Sequence, residues 1–348
     1  MRAVTFHEHG GTEKLIYEEV PSPQVGPEEI LIRVKACALN HLDIWLRQGI
    51  PSYKIALPHI SGCDVSGVIE KVGATYMGHL TPGQAVFVMP GLSCGNCDEC
   101  LAGKDNCCAS YQILGAQRNG GYAEYVNVPA SNVFPLPANL TFEQGAAFPL
   151  VSVTAWHMVK TLGDVQPGET VLVMGGGSGI GCMAIQMANL LRARVITTVG
   201  FADKVEKAKK LGADEVLNHS EENIVERIAA LTQGRGVNIV IEHIGQKVWE
   251  NCLRSLGRGG RLVTCGATSG QIASFDVRYL YSRQLTIFGS YMGTRDEFVE
   301  IARLAESNKL RCIIDSTYPL EDARTAQERM LDRKNFGKIV LTIGTSET

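Results

Sequence analysis

The sequence predicts an α/β protein in two parts: a β-rich domain, and a doubly wound parallel sheet with helices on both faces. Three observations carry that prediction. Short strand-like runs broken by Pro and Gly fill roughly the first 150 residues. Strict alternation of apolar strands with helical patterns then continues for roughly 140 residues. At the head of that alternation a strand runs into a glycine cluster and then a helix with one apolar face.

The 348 residues suit two domains at about 100–200 residues each. Hydrophobic residues make up 45% and charged residues 20%, ordinary for a soluble globular chain. Thirty-three basic against 36 acidic residues give a net charge of −3, and no block of like charge occurs. Non-specific binding to nucleic acid or to a membrane surface needs a basic face, so the balance argues against both. No apolar run reaches the roughly 18 residues of a transmembrane helix. The start Met1-Arg-Ala-Val-Thr-Phe6 lacks the apolar stretch of a signal peptide, and a cytoplasmic location is expected.

In the first part, Ile30–Lys35 and Gln84–Val88 read as strands, with turns at Pro21–Pro27, Gly49–Pro51 and Pro82-Gly83. Short strands with frequent turns predict a partly open barrel or a sandwich. In the second part, Val171–Met174 is a strand that enters Gly175-Gly-Gly-Ser-Gly-Ile-Gly181. Ile180, Met183, Ala184, Met187, Ala188 and Leu191 then fall on one helical face. Strands at Arg194–Val199, Glu215–Leu217, Val237–Ile241, Arg261–Cys265 and Gln284–Phe288 follow. Helices are expected near Asp203–Leu211, Glu222–Leu231, Lys247–Ser255 and Asp296–Ala305. The tail returns to short strands such as Lys338–Ile343.

A strand, a glycine-rich turn and a helix form the start of a dinucleotide-binding unit, because glycines let the backbone approach a pyrophosphate and the helix N-terminus offers unpaired N–H groups. The best register here is Gly176-Gly-Ser178-Gly179-Ile180-Gly181, with serine where the motif's second glycine would stand. The end of the second strand, Thr198-Val199-Gly200, carries no carboxylate to bind a ribose 2′-hydroxyl; after Phe201-Ala202 comes Asp203, whose place before a charged helix reads as an N-terminal helix residue, and then Lys204. A 2′-phosphate is tolerated there, and Lys204 is placed to neutralise it, so NADP(H) is expected in preference to NAD(H).

Eleven cysteines stand out. Cys94, Cys97, Cys100 and Cys108 have C-x2-C-x2-C-x7-C spacing, and four thiolates on a short loop can close a tetrahedron around Zn²⁺. The long last gap and the missing Cys-Pro distinguish this from iron–sulfur runs. A closed four-sulfur site has no open position, so one structural zinc per chain is expected, with Cys107 an alternative to Cys108 as the fourth ligand. Cys182, Cys252 and Cys265 fall in the α/β part and are expected in its core.

Together these features resemble the medium-chain dehydrogenase/reductase superfamily over essentially the whole chain. The cysteine spacing equals that of the structural-zinc lobe of zinc alcohol dehydrogenases. Gly62-Cys-Asp-Val-Ser-Gly-Val-Ile-Glu-Lys-Val-Gly73, Asn40-His41-Leu42-Asp43 and Gly120-Gly-Tyr-Ala-Glu-Tyr125 are similar to family motifs. The resemblance implies a GroES-like catalytic domain from residues 1–150 and 290–348, with its zinc loop at about 91–110. It implies a Rossmann domain over 151–289 and a homodimer or homotetramer acting on a small molecule.

The departures from the family carry the functional expectation. Where the family holds its catalytic zinc with a Cys, a His and a second Cys, with a Glu beside the His, this chain has Asn40, Cys63, Leu150 and Asp64. Asn40 and Leu150 supply no thiolate, so a catalytic zinc is not expected. Carbonyl–alcohol interconversion needs a strong Lewis acid. Hydride addition to an enone or quinone needs only donors to a developing enolate oxygen. An NADP(H)-preferring reductase of activated C=C bonds or quinones follows. By resemblance Asn40 faces substrate or cofactor, with Tyr53 and Asp43 as further catalytic candidates. His41 and Lys338 align with pyrophosphate contacts, and Thr154, Ile244, Gly266 and Phe288 with nicotinamide-side or adenosine-side contacts. His219 stands where it could touch a 2′-phosphate. Two rival readings are a zinc alcohol dehydrogenase with shifted ligands (Cys63, Asp64, His41 or His59) and a non-catalytic structural or RNA-binding member. Zinc stoichiometry separates the first, and failure to bind any nicotinamide cofactor would favour the second.

Overall fold

The computed structural model describes residues 1–51 and 53–344. Besides a short N-terminal hairpin (Arg2–Thr5 with Ile16–Glu19) and the short pair Gly91–Leu92 and Gln112–Ile113, the strands of the first part are β1 (Glu29–Ala38), β2 (Asp64–Val72), β3 (Ala85–Val88), β4 (Tyr125–Pro129) and β5 (Val133–Pro135). Six more follow: β6 (Thr170–Val173), β7 (Arg194–Val199), β8 (Glu215–Asn218), β9 (Val237–Glu242), β10 (Leu256–Thr264) and β11 (Thr286–Gly289). The last two are β12 (Ile314–Pro319) and β13 (Lys338–Thr342). The helices that matter for the sites are α1 (His41–Gln48), α2 (Pro149–Trp156) and α3 (Gly179–Leu190). The chain divides into two compact units, one of Met1–Leu150, Thr294–Glu306 and Cys312–Thr348, the other of Val151–Gly293 and Ser307–Arg311.

The first unit is built on a sheet in the order β12-β13-β1-β2-β3-β5, with β4 also paired to β1. Side chains alternate along β1, so Ile30, Ile32 and Val34 are buried while Arg33 faces solvent. Register matters more than composition here. β1 and β2 are antiparallel with Ala38 opposite Asp64, and β13 is antiparallel to β1 with Val340 opposite Ala38. That pairing carries Asn40, Cys63, Asp64 and Lys338 to one end of three neighbouring strands. Helix Arg295–Glu306 joins this unit through Phe298, whose ring lies 5.1 Å from Phe87 and 4.9 Å from Phe134.

The second unit is a six-stranded parallel sheet in the order β8-β7-β6-β9-β10-β11. That is the 3-2-1-4-5-6 order of a doubly wound nucleotide-binding sheet. Its central strands are buried on both faces, with Val171, Leu172, Val173, Ile239, Val240 and Ile241 inaccessible to solvent. The unit runs on past residue 289 to Gly293 and takes back Ser307–Arg311. The reason is local: Arg311 N–H donates to Gln186 Oε1 on α3, and Gln186 Nε2 donates to the Arg311 carbonyl. Cys182 and Cys252 lie in the core as expected, whereas Cys265 is only half-buried. Among the described residues, no helix is long and apolar enough to cross a membrane.

Candidate functional site

The converging strand ends of the first unit hold a buried polar cluster. Asn40 Nδ2 donates to Asp64 Oδ2 at 2.8 Å and to Cys63 Sγ at 3.2 Å. Lys338 Nζ donates to Asn40 Oδ1 at 2.6 Å, to the Leu39 carbonyl at 2.7 Å and to Asp64 Oδ2 at 3.0 Å. Asp64 Oδ1 accepts the N–H of Leu150 at 2.8 Å. Asp64 is fully buried and Lys338 and Asn40 nearly so, which makes this a satisfied internal ion pair rather than a surface contact. Burial, reinforced by the charges of Asp64 and Asp43, pushes the Cys63 thiol well above its ordinary range, so it is neutral. Lys338, expected beside a pyrophosphate, instead has its three N–H donors engaged inside this cluster.

Asp43 also departs from the catalytic expectation. It is the third residue of α1, where its Oδ2 accepts the Asn40 N–H at 2.8 Å and the Tyr122 hydroxyl at 3.0 Å. Its Oδ1 accepts the N–H of Gly62. The carboxylate is buried and ties α1, the segment leading into β2 and Tyr122 together, a positioning role. Burial raises its pKa to about 6, against the opposing pull of the Asn40, Tyr122 and Gly62 donors and the Lys338 charge. The folded chain therefore holds this proton more tightly than the unfolded chain does. The stability it contributes is full below pH 3.8 and is lost as pH rises through about 6. At about 1.4 kcal/mol per unit this amounts to about 3 kcal/mol. Asp43→Asn is expected to flatten the dependence of the urea midpoint on pH across that window, and an unchanged slope would refute the assignment.

His41 opens α1, exposed to solvent, with its ring 6.2 Å from that of Trp45. Crowding of the ring, and then the positive charges of Arg333 and Lys338, lower its pKa to about 4. It meets neutral pH as an uncharged imidazole, able to donate one hydrogen bond but not to form an ion pair. Tyr53 is half-buried in the loop after α1, where its N–H closes a turn on the Ile50 carbonyl. His59 is buried with Nε2 2.9 Å from the Gly115 carbonyl.

In the second unit the glycine turn joins β6 to α3. Gly175 has φ +63°, the left-handed conformation that glycine adopts without strain. A Cβ on Gly176 would lie 2.2 Å from Thr197 Oγ1, and one on Gly181 would lie 2.3 Å from the Gly175 carbonyl oxygen. The glycines therefore seat the turn against β7 and draw the helix onto the turn. Ser178 caps α3 by accepting the Gly181 N–H at 2.9 Å. Its hydroxyl also lies 2.8 Å from His243 Nε2, so the serine that breaks the motif does defined work at the helix start. The first N–H groups of α3, at Gly179 and Ile180, point along the axis where an anion is favoured.

His243 and Glu242 were not anticipated. Glu242, fully buried at the end of β9, accepts the Ile244 N–H, the Gly245 N–H at 2.6 Å and the Thr264 hydroxyl at 2.7 Å. It shapes the loop that holds the Ile244 side chain against Gly175. A carboxylate followed by a histidine at a strand end was the available signal. Gly266 lies close to the His243 carbonyl, and Phe288 is half-buried on β11. Thr154 on α2 has a buried hydroxyl oxygen without a hydrogen-bond partner among the described residues, a feature that suits a cofactor contact. Past β7, the exposed His219 has its Nε2 within 3.1 Å of where a Gly200 Cβ would stand. Lys204 differs from expectation: it is buried, with its ammonium 5.1 Å from the Phe201 ring centre.

The cysteine loop lies between two short paired strands, Gly91–Leu92 and Gln112–Ile113. The Cys94, Cys97, Cys100 and Cys108 sulfurs all lie within 4.8 Å of one another. Individual separations are 3.5 Å for Cys97–Cys100, 3.5 Å for Cys94–Cys108 and 3.9 Å for Cys94–Cys100. A tetrahedron with Zn–S bonds of about 2.3 Å has edges of about 3.8 Å, so the four sulfurs fit zinc. Cys108 belongs to the cluster, while Cys107 points out to solvent. The N–H groups of Asn96 and Cys97 lower the Cys94 pKa, favouring the thiolate form that a metal ligand needs.

Comparison with known proteins agrees with this anatomy. Residues 26–138 match the alcohol dehydrogenase GroES-like domain, and residues 179–307 match the zinc-binding dehydrogenase family. The chain is 34% identical over 330 residues to an alcohol dehydrogenase of Geobacillus stearothermophilus, covering 94% of this chain and 95% of the relative. It is 31% identical over 353 residues to a quinone oxidoreductase of Rattus norvegicus, covering 99% and 98%. A crystal structure of an NAD-dependent alcohol dehydrogenase superposes with a TM-score of 0.95 at 44% identity, covering 99% of this chain and all of that one. With a GroES-like domain, a doubly wound nucleotide-binding sheet and relatives matched end to end, the chain belongs to the medium-chain dehydrogenase/reductase superfamily of oxidoreductases.

Proposed function

We propose that the protein is an NADP(H)-preferring reductase that delivers hydride to an activated C=C bond or a quinone without a catalytic metal. One observation carries the reading: the Lys338 ammonium is bonded to Asp64 and Asn40 where a zinc ligand set would be needed. The donors do not fit zinc. Asn40 turns N–H groups toward Cys63 and Asp64, Leu150 offers only its backbone N–H, and Asp64 is already neutralised by a cation. A site of hydrogen-bond donors suits an acceptor whose added charge spreads to an enolate or quinol oxygen.

The nicotinamide cofactor, when bound, supplies the hydride. Gly176, Ser178, Gly179 and Ile180 would cradle its pyrophosphate at the start of α3. Thr154, Ile244, Gly266 and Phe288 would line its nicotinamide and adenosine portions. NADP(H) is favoured by the absence of a carboxylate at the end of β7 and by His219 beside Gly200. Cys94, Cys97, Cys100 and Cys108 would hold one zinc in a structural role.

The test combines metal counting with a substrate panel. One zinc per chain, NADPH consumption with an enone or quinone, and no oxidation of simple alcohols are expected. The specificity constant for NADPH should exceed that for NADH by about tenfold, the worth of one charge-assisted hydrogen bond. Two zinc ions per chain, with alcohol oxidation lost on chelation, would overturn the reading in favour of a metal-dependent alcohol dehydrogenase.

A further inference from the structure

We propose that Lys338 is a positioning residue for Asn40, a tethered cation that takes the place of a metal in this centre, and that it is not a cofactor contact. This rests on the reductase reading given above. An ammonium has three donors and no acceptor, and all three find oxygen: Leu39 O, Asn40 Oδ1 and Asp64 Oδ2, at 2.6 to 3.0 Å. The contact to Asn40 Oδ1 settles which way the amide faces, because the flipped amide would set its NH₂ against an ammonium. Nδ2 is thereby held toward Asp64 and Cys63.

The two N–H groups of Asn40 are not equivalent in that orientation. One is on a carboxylate oxygen at 2.8 Å, a strong acceptor. The other is on a thiol sulfur at 3.2 Å, a weak acceptor whose proton burial retains, with the Ala38 carbonyl at the edge of reach at 3.5 Å. Exchanging sulfur for a substrate oxygen gives a stronger hydrogen bond, so the second N–H is the donor this centre can offer. Lys338 also keeps the cluster neutral, one ammonium against one carboxylate, and Asp64 is held from its other oxygen by Leu150 N–H. Without the ammonium, the Asn40 amide is free to turn its oxygen toward the acceptor.

The experiment compares Lys338→Met and Lys338→Met/Asp64→Asn with the wild type, the double variant keeping the buried cluster uncharged if the single one folds poorly. NADPH affinity is measured by fluorescence titration and turnover with whichever acceptor the wild type uses. A dissociation constant within about threefold of wild type, with kcat lowered by about 30-fold or more in the folded variant, is the expected result. A cofactor affinity weakened tenfold or more would overturn the proposal and restore Lys338 as a pyrophosphate contact. Retained kcat would overturn it too, as would loss of both together in the folded double variant. If the wild type reduces neither enones nor quinones but oxidises alcohols, the reductase reading fails, and the same two readouts taken with the alcohol still decide the role of Lys338.

Discussion

Gly181→Ala is expected to weaken dinucleotide binding by about 100-fold while leaving the chain folded. The added Cβ would lie 2.3 Å from the Gly175 carbonyl oxygen and 2.8 Å from Gly176 Cα, both backbone atoms of the turn itself. Neither can swing aside as a side-chain tip could, so turn and helix must separate. The N-terminus of α3 then moves relative to the bond that fixes it, Gly181 N–H to Ser178 Oγ at 2.9 Å. Its N–H groups serve an anion only when they converge on it, and a displacement near 1 Å is worth about two orders of magnitude in such a site. Overpacking at this point also costs about 1–3 kcal/mol of stability. Gly83→Ala is the control: its φ of +87° is strained for alanine, but nothing lies within 4 Å of the new Cβ. It should lose about 1 kcal/mol and keep full affinity. Isothermal titration with NADPH beside urea unfolding decides the matter, and equal affinity in the two variants would sink it.

The second unit was legible because each of its signals is local. β6, the glycine turn and α3 follow one another directly, and strands buried on both faces show as unbroken apolar runs such as Val171-Leu-Val173. The cysteine loop was legible for the same reason, since all four sulfurs fall within fifteen residues. The polar centre of the first unit was not. Asn40 and Lys338 are 298 residues apart, and only the antiparallel register of β13 on β1 puts one beside the other. An aligned position shows that Lys338 is cationic but not whether its ammonium faces a pyrophosphate or a carboxylate. Lys204 is similar: its place after β7 says that it is cationic, but not that the side chain is buried with its ammonium 5.1 Å from the Phe201 ring centre. Asp43 was seen as a carboxylate near the centre, but whether it meets substrate or three protein donors depends on Tyr122 and Gly62, which only the fold brings to it.

Stripping the zinc from the cysteine loop is expected to unfold that loop and leave the chemistry of the remaining folded molecules intact. The loop has almost no core of its own. Its two helical turns, Asp98–Leu101 and Asp105–Cys107, contain no buried residue, and Leu101 is 75% exposed. A bond from outside, Arg295 N–H to Asp105 Oδ1 at 3.0 Å, ties it to a neighbouring helix. Hydrophobic burial therefore contributes little, and the order of residues 94–108 is expected to depend on a metal bridging the four sulfurs. Cys97→Ser removes a ligand and should take the zinc content from one per chain to none. Limited proteolysis should then cut between Cys94 and Cys108, and Tm should fall by roughly 5–10 °C if about 3 kcal/mol is lost. Cys107→Ser should change neither, since that sulfur points to solvent outside the cluster. Four sulfurs fill a tetrahedron and leave no position for an acceptor, so kcat per folded molecule should stay within about twofold. A zinc-free Cys97→Ser protein that resists the protease as the wild type does would show that the loop holds itself. A large fall in kcat without unfolding would show that this metal takes part in turnover.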